Sequence, residues 1–223
     1  MRARSMGTLR CGSMILYDYF RSSAAYRVRI ALNLKGLEAE RRFIHLRKGD
    51  QRAPEYLKTN PQGLVPTLVV GNVAMTQSMA IIEYLDEKHP LPPLLPPSPE
   101  DRAWVRAIAQ VVACDIHPVN NLRVLQYLER LGVDSAARDA WYVHWIDAGF
   151  SALEPQLAAR ATGSFCLGDA PTIADVFLVP QVANARRLKM TLDAYPRIRA
   201  VNDACLALPA FDRAQPARQP DAE

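Results

Sequence analysis

A cluster of prolines constrains the fold of this chain more than any other feature of the sequence. Six prolines lie within ten positions: Pro90, Pro92, Pro93, Pro96, Pro97 and Pro99. Proline has no amide donor, and its ring clashes with the preceding helical turn, so no helix or central strand can continue through such a segment. The cluster predicts a linker at 90–99 between a domain at 14–89 and a domain at 100–211, with a tail at 212–223.

The segment before the linker has the hydrophobic pattern of a mixed α/β domain. Short apolar runs bounded by turn residues predict strands, and a longer run that stops at Gly36 predicts a helix. Gly71-Asn72 between two short runs predicts a hairpin. In chain order the predicted elements are a strand at 15–19, a helix at 23–35, a strand at 41–46, strands at 67–70 and 73–76, and a helix at 78–88. This order is that of a thioredoxin-like domain.

After the linker the sequence pattern is helical throughout. Apolar residues recur with helical spacing at Val105, Ile108, Val112 and Ile116. Pro118 interrupts this helix and predicts a kink, because it removes one backbone hydrogen bond. Thr172-Ile-Ala-Asp175 predicts a helix start with a capping box. The predicted fold class is therefore α/β plus all-α, with an N-terminal thioredoxin-like domain followed by a C-terminal helical bundle.

Length and charge exclude several classes of protein. A chain of 223 residues with 49% hydrophobic residues can bury a sizeable core without a disulfide framework. The net charge of +4 owes three units to Arg2, Arg4 and Arg10, and the rest of the chain carries 24 Lys and Arg against 23 Asp and Glu. Such a balance gives no reason to expect a nucleic acid as a partner.

The sequence also lacks the patterns of metal sites and membrane segments. Its four cysteines, Cys11, Cys114, Cys166 and Cys205, are scattered without the spacing of a metal site. No apolar run approaches the ~20 residues of a membrane span. Residues 1–13 lack the apolar stretch of a signal peptide and are predicted to be a disordered extension. We therefore expect a cytoplasmic protein with no metal and no membrane partner.

Three short segments of the first domain carry the residues of a ligand site. They are Arg21-Ser22-Ser23 before a helix, Leu64-Val65-Pro66-Thr67 before a strand, and Gln77-Ser78 before another helix. The start of a helix offers free amides to an anion, and a cis Val65-Pro66 bond would present the Val65 backbone to an extended peptide. Taken singly, each segment can also be explained as a helix cap or a loop without any ligand. Their order in one domain predicts a pocket for a thiol peptide.

The thiol of that pocket has to come from the ligand. The partial positive charge at a helix start favours a thiolate, and a cysteine there would make a redox site. Ala24 and Ala25 occupy these positions instead. The nucleophile is therefore predicted to belong to a bound thiol at the start of this helix.

Longer motifs extend this pattern to the whole chain from Met14 to the C-terminus. They are Tyr19-Phe-Arg-Ser-Ser-Ala-Ala-Tyr-Arg-Val-Arg-Ile-Ala-Leu32, Asn60-Pro-Gln-Gly-Leu-Val-Pro-Thr67, Gln77-Ser-Met-Ala-Ile-Ile-Glu-Tyr84, Asp115-Ile-His-Pro-Val-Asn-Asn-Leu-Arg123, Leu178-Val-Pro-Gln-Val-Ala-Asn-Ala185 and Arg218-Gln-Pro-Asp221. With these motifs the chain resembles the zeta-class glutathione transferases, the group that includes maleylacetoacetate isomerases and bacterial maleylpyruvate isomerases. The resemblance implies the glutathione transferase fold, glutathione as the cofactor and a homodimer.

The resemblance also implies roles for individual residues in binding glutathione. Ser22 and Ser23 match the serines at the thiol, and it stays open which of them activates it. Val65 matches the backbone partner of the cysteinyl unit, and Gln77 with Ser78 matches the clamp on the γ-glutamyl group. Further contacts are implied for Gln51, His117 and Asn121. Many animal members carry a cysteine where this chain has Ala24, so weaker sensitivity to oxidation and alkylation is expected at the site.

Arginines indicate the class of substrate. Guanidinium groups bind carboxylates in a bidentate manner, so several of them beside a thiol suit a dicarboxylate. Arg21 precedes the thiol site, and the resemblance places Arg123 and Arg187 at the same pocket. Any single arginine could instead be a solvated surface charge, which is the interpretation for Arg186. Arg27 could be structural, like Arg29, or face the ligand.

These residues predict a glutathione-dependent cis–trans isomerase of an unsaturated dicarbonyl dicarboxylic acid. The first choice is conversion of maleylacetoacetate to fumarylacetoacetate in aromatic catabolism, and the alternative is a maleylpyruvate isomerase. Leu122 before Arg123 resembles the maleylacetoacetate group, which gives a slight preference. A general glutathione transferase and a non-catalytic glutathione-binding or ligand-binding protein are further alternatives, because a fold does not determine a function.

Overall fold

The computed structural model describes residues 14–223. Its first half contains a four-stranded mixed sheet. The predicted extension at 1–13 lies outside the described residues. The elements are β1 (Met14–Asp18), α1 (Ser23–Leu34), β2 (Glu40–Phe43), α2 (Pro54–Thr59), β3 (Thr67–Val70), β4 (Val73–Thr76) and α3 (Ser78–Lys88). The strand order is β2-β1-β3-β4, with β1 and β2 parallel and the other pairs antiparallel.

The sheet forms where the sequence pattern predicts it, apart from one strand end. Leu16 of β1 pairs with Leu68 of β3, and both side chains are fully buried. Gly71 adopts a positive φ of 59° in the predicted hairpin turn. The strand predicted at 41–46 ends earlier, at Phe43, because the amide of His45 donates to the Asp50 carboxylate and the chain turns there.

Helices make up the second half of the described chain. They are α4 (Pro99–Gln110), a π-helical turn (Val111–Ile116), α5 (Leu122–Arg130), α6 (Ser135–Ala159), α7 (Ile173–Arg187), α8 (Pro196–Leu206) and α9 (Pro209–Asp212). Helix α7 is the most central, because it packs against α1, α4 and α8 and nearly all of its residues are buried. Its predicted capping box is confirmed, and Asp175 accepts the Thr172 amide at 2.7 Å. The predicted fold class is confirmed by this architecture.

The helix before Pro118 ends instead of kinking, so the predicted kink is wrong. Residues 111–116 widen into a π-helical turn, in which the His117 amide donates to Val112 at 2.9 Å. Pro118 has no amide to continue the ladder, and the chain turns until Asn121 caps α5 by accepting the Arg123 amide at 3.1 Å. Arg123 therefore lies in the first turn of a separate helix.

The proline-rich segment between α3 and α4 is fixed to the first half by one buried side chain. The amino group of Lys35 donates to the carbonyl oxygens of His89 and Pro92 and to the carboxylate of Asp86. Leu94 and Leu95 of the same segment are buried. Since α1 also packs on α7, the two halves share a continuous apolar core. Within residues 14–223, no helix is both long enough and apolar enough to cross a bilayer.

Candidate active site

A cavity of about 340 Å³ lies between the turn that joins β1 to α1 and the helical half of the chain. The predicted residues that line it are Arg21, Ser22, Ser23, Gln51, Val65, His117, Asn121, Arg123 and Arg187. Gln77 and Ser78 were predicted for the same pocket but do not line this cavity. Residues that are distant in sequence, from both halves of the chain, thus meet at one concave surface.

Ser22 caps helix α1 and keeps a free hydroxyl proton. Its Oγ accepts the amide of Ala25 at 3.2 Å, which satisfies one of the unpaired amides of the helix start. A serine oxygen that accepts in this way can still donate its proton to another acceptor. The hydroxyl of Ser22 can therefore donate toward the cavity from the positive end of the helix.

Ser23 is buried and paired with a histidine from the helical half. Its Oγ lies 3.1 Å from Nδ1 of His117. Burial, together with the positive charges of Arg27 and Arg123, lowers the pKa of His117 to about 3. His117 is therefore neutral near pH 7. If its Nδ1 carries the ring proton and donates to Ser23, the hydroxyl of Ser23 is free to donate elsewhere.

We expect the lowered pKa of His117 to make the protein less stable in acid. An unfolded histidine titrates near pH ~6.5, so between that pH and about 3 the unfolded chain binds a proton that the folded chain does not. The free energy of unfolding should therefore fall as the pH is lowered through this window. His117→Asn should flatten that slope in urea titrations at several pH values. Any loss of packing appears as the offset at pH 8, and identical slopes would contradict the assignment.

The Val65-Pro66 peptide bond is cis, the form that would present the Val65 backbone to a ligand. Among residues 14–223, no hydrogen bond of the backbone uses the amide or the carbonyl group of Val65. The neighbouring carbonyl of Leu64 instead accepts from the side chains of Tyr56 and Asn60. The Val65 backbone can therefore pair with an extended peptide in the cavity.

Gln77 and Ser78 lie beside the Val65 segment, at the end of the hairpin. Gln77 has a positive φ of 68°, which non-glycine residues rarely adopt and which is concentrated at functional sites. The Ser78 hydroxyl is buried and accepts from Arg27 at 3.2 Å. It can therefore donate its own proton to a carboxylate at the start of α3.

Arg27 is buried between the two halves, and the sequence left its role open. Its guanidinium lies 4.4 Å from the centroid of the Phe177 ring. Burial lowers its pKa to about 9, so it stays charged at neutral pH. Arg27 does not line the cavity, and its contact with Ser78 links it to the α3 start instead.

The lining of the cavity is strongly cationic. Its five arginines are Arg21, Arg47, Arg52, Arg123 and Arg187, and the lining contains no Asp, Glu or Cys. None of the five forms a salt bridge with any residue in 14–223. The guanidinium of Arg187 lies 5.3 Å from the centroid of the Tyr142 ring, whereas its neighbour Arg186 pairs with Asp203. A cavity of this kind attracts a ligand with more than one negative charge.

Several residues that line the cavity were not predicted from the sequence. Arg47 and Arg52 follow the early end of β2, in a segment to which no role was assigned from the sequence. Tyr142 faces the cavity from α6, where it follows the helical apolar pattern of a core residue. Asn184 was inside a quoted motif, Val-Ala-Asn-Ala, but no role was assigned to it.

A thioredoxin-like domain, a helical domain and a cationic cavity at the first β–α turn together define a glutathione S-transferase. Comparisons with known proteins agree. Residues 12–87 match the N-terminal domain of glutathione S-transferases, and residues 135–204 match their C-terminal domain. The chain belongs to this family, and within it to the zeta class.

Three similar proteins support this assignment over nearly the whole chain. A maleylacetoacetate isomerase of Rhizobium meliloti is 51% identical and covers 92% of this chain and 96% of its own. The holo structure of a maleylpyruvate isomerase, described as a bacterial zeta-class enzyme, has a TM-score of 0.92 at 49% identity and covers 94% of this chain and 100% of its own. A maleylacetoacetate isomerase of Methylobacterium extorquens AM1 with bound malonate and glutathione has a TM-score of 0.91 at 42% identity, with coverages of 94% and 99%.

Proposed function

We propose that this protein is a glutathione-dependent cis–trans isomerase of an unsaturated dicarbonyl dicarboxylic acid. The observation that carries the proposal is the cavity beside the start of α1, which contains five arginines without ion-pair partners among residues 14–223 and no carboxylate. The relatives add a chemical precedent, because one of them binds glutathione and malonate, a dicarboxylate, together. The substrate is maleylacetoacetate, with maleylpyruvate as the alternative.

Glutathione binds along the first half of the chain in this proposal. The Val65 backbone pairs with the cysteinyl unit, and Gln77 with Ser78 holds the γ-glutamyl carboxylate at the start of α3. Gln51, His117 and Asn121 contribute further contacts from the cavity wall. The arrangement brings the thiol of glutathione to the start of α1, where Ser22 and Ser23 lie.

The thiolate is the nucleophile. A free thiol has a pKa of ~8.5, and a helix start with a hydroxyl donor lowers that value. Ser22 is the donor, because its oxygen already accepts from Ala25 and its proton is free. Ser23 is the second donor when His117 donates to it.

The reaction then proceeds by addition, rotation and elimination. The thiolate adds to one carbon of the cis double bond, and the π electrons move onto the conjugated carbonyl oxygen as an enolate. The former double bond is now single and rotates. Collapse of the enolate re-forms the double bond as trans and expels the thiolate, so glutathione is regenerated. Arg21, Arg123 and Arg187 hold the carboxylates and stabilise the enolate charge.

The test of this proposal is a steady-state comparison of the two cis acids with glutathione. We expect turnover of both, faster for maleylacetoacetate, and none when glutathione is omitted. Leu122 lines the cavity next to Arg123, and it is the residue on which the preference rests. Faster turnover of maleylpyruvate would reverse the choice of substrate, and turnover of neither acid would contradict the isomerase assignment. Glutathione binding unaffected by added dicarboxylates would instead favour a non-catalytic binding protein.

The protein is further proposed to act as a cytoplasmic homodimer. The support is the zeta-class resemblance, in which the sheet domain of one subunit packs on the helical domain of the other. Size-exclusion chromatography with light scattering should give about twice the mass of the 24.8 kDa chain. A monomer at micromolar concentration would exclude a stable dimer.

A further inference from the structure

The C-terminal tail returns from the helical half to the first β–α turn. After α9 the chain passes back along the sheet half, where Oδ2 of Asp221 accepts the amide of Phe20 at 2.9 Å. Glu223 lies 2.5 Å from His45 at the loop after β2. Before these contacts, Gln219 is buried and bonded to the carbonyl oxygens of Arg213 and Gln215. The tail is thus held along its length and reaches the sheet half with its last residues.

The backbone of Phe20 is held at both its amide and its carbonyl group. Its amide donates to Asp221, and its carbonyl accepts from Nη2 of Arg29 at 3.0 Å. Arg29 also donates to the buried carboxylate of Asp18 at 2.8 Å, and Arg41 pairs with the same carboxylate. Asp18, Arg29 and Arg41 therefore form one cluster of ion pairs beneath the turn, and Asp221 of the tail contacts the Phe20 backbone beside this cluster.

The next residues along the chain are Arg21 and Ser22, which line the cavity. A peptide fixed at Phe20 restricts the backbone directions that are open to both. Without Asp221, the Phe20 amide has no hydrogen-bond partner among the described residues. Loss of the tail carboxylate should therefore loosen the turn that carries the thiol donor.

We propose that Asp221 is a positioning residue of the active site, which holds the Phe20 peptide so that Arg21 and Ser22 face the cavity. This inference rests on the proposed function, in which the cavity is the active site. It assigns a task to the C-terminal Arg-Gln-Pro-Asp motif, which the binding of glutathione and substrate does not use. No residue of the tail lines the cavity, so its effect passes through the backbone of the turn.

The test compares Asp221→Ala with Asp221→Asn. Asparagine keeps an acceptor oxygen for the Phe20 amide, and alanine does not. For Asp221→Ala we expect kcat/KM of the isomerase to fall by roughly tenfold or more, since small misplacements of catalytic groups are costly. The KM for glutathione should change little, because Val65, Gln77 and Ser78 still hold the peptide. Asp221→Asn should stay within about threefold of the unchanged protein.

A spectroscopic readout separates this inference from the proposed function. The absorbance of the thiolate near 240 nm, followed against pH with glutathione bound, gives the thiol pKa without any isomerase substrate. We expect Asp221→Ala to raise that pKa by about one unit, because the Ser22 donor and the helix start are no longer aligned with the sulfur. This shift can be measured even if neither cis acid is turned over.

Glu223→Ala is the matched control, because it removes a tail contact with His45 in the loop after β2 and leaves the bond to the Phe20 amide in place. We expect its kinetic constants and its thiol pKa to match those of the unchanged protein. Three outcomes would overturn the inference: an Asp221→Ala protein with unchanged kcat/KM and thiol pKa, an equal loss in Glu223→Ala, or an Asp221→Asn protein as impaired as Asp221→Ala. The last outcome would assign the effect to the charge of Asp221 instead of the bond to Phe20.

Discussion

Ser22→Ala should lower kcat/KM for isomerisation by about 10²- to 10³-fold, the range found when one preorganised donor to a developing or bound anion is removed. Ser22 combines a free hydroxyl proton with a place at the positive end of α1, since its oxygen already accepts from Ala25. The same substitution should raise the pKa of the bound thiol. Steady-state kinetics and thiolate absorbance measure the two effects on one preparation. Ser23→Ala should cost less, about tenfold, because Ser23 shares its hydroxyl with His117.

Ser22→Ala removes the cap of α1 together with the hydroxyl donor to the thiol. The control variant must therefore remove a helix cap and nothing else. Ser98→Ala removes the cap of α4, where Ser98 accepts the Asp101 amide at 3.1 Å outside the cavity. Both substitutions should cost about 1 kcal/mol of stability, and only Ser22→Ala should lose activity. Ser22→Thr keeps a hydroxyl and should recover part of the rate. If neither serine variant loses tenfold or more, the helix amides alone activate the thiol.

Arg187→Met should raise the KM for the dicarboxylate by about 10- to 100-fold, the cost of one charge-assisted bidentate contact. Arg187 ends α7 at the cavity and forms no salt bridge with any described residue, so its guanidinium is available to a carboxylate. The KM for glutathione should stay nearly constant, since the thiol peptide is held by the first half of the chain. Kinetics at saturating concentrations of each substrate in turn separate the two constants.

Arg186→Met is the matched control for this prediction. Arg186 precedes Arg187 in the same helix turn but points away and pairs with Asp203 at 3.0 Å. It is exposed, and its pair should contribute little to stability. Activity should therefore be unchanged. Equal effects of the two substitutions would mean that the helix end, and not the Arg187 charge, matters for the substrate.

Local patterns were sufficient to predict the sheet domain and the three short segments of the candidate site, whereas its other residues were predicted from the family resemblance. The hairpin at Gly71 and the Ser22 cap depend on residues next to each other in the chain, so short-range chemistry decides them. The sequence raised a cis bond at Val65-Pro66 only as a condition for presenting the Val65 backbone, and the structure has that bond. Arg47 and Arg52 could not be predicted, because their direction depends on a turn closed by the Asp50 carboxylate.

The helical half was harder to predict in detail. Periodicity identified the helices, but it does not distinguish a proline that kinks a helix from one that ends it. The outcome at Pro118 depends on packing: α6 approaches so closely that a Cβ on Gly149 would collide with the side chain of Ile116. After Ile116 the chain turns, and His117 lies next to Ser23.

The π-helical turn at Val111–Ile116 also makes the number of residues in this segment important. A π turn holds one residue more than an α-helical turn, and one residue corresponds to a rotation of about 100° for everything that follows in a helix. The direction of His117 toward Ser23 thus depends on a count of residues as well as on their identity. If residues 111–116 formed an α-helical turn with the same number of residues, the imidazole would turn away from the hydroxyl even with every side chain conserved. A single-codon deletion between 111 and 116 would remove the extra residue, so the turn could close as an α-helical turn and the imidazole would keep its direction.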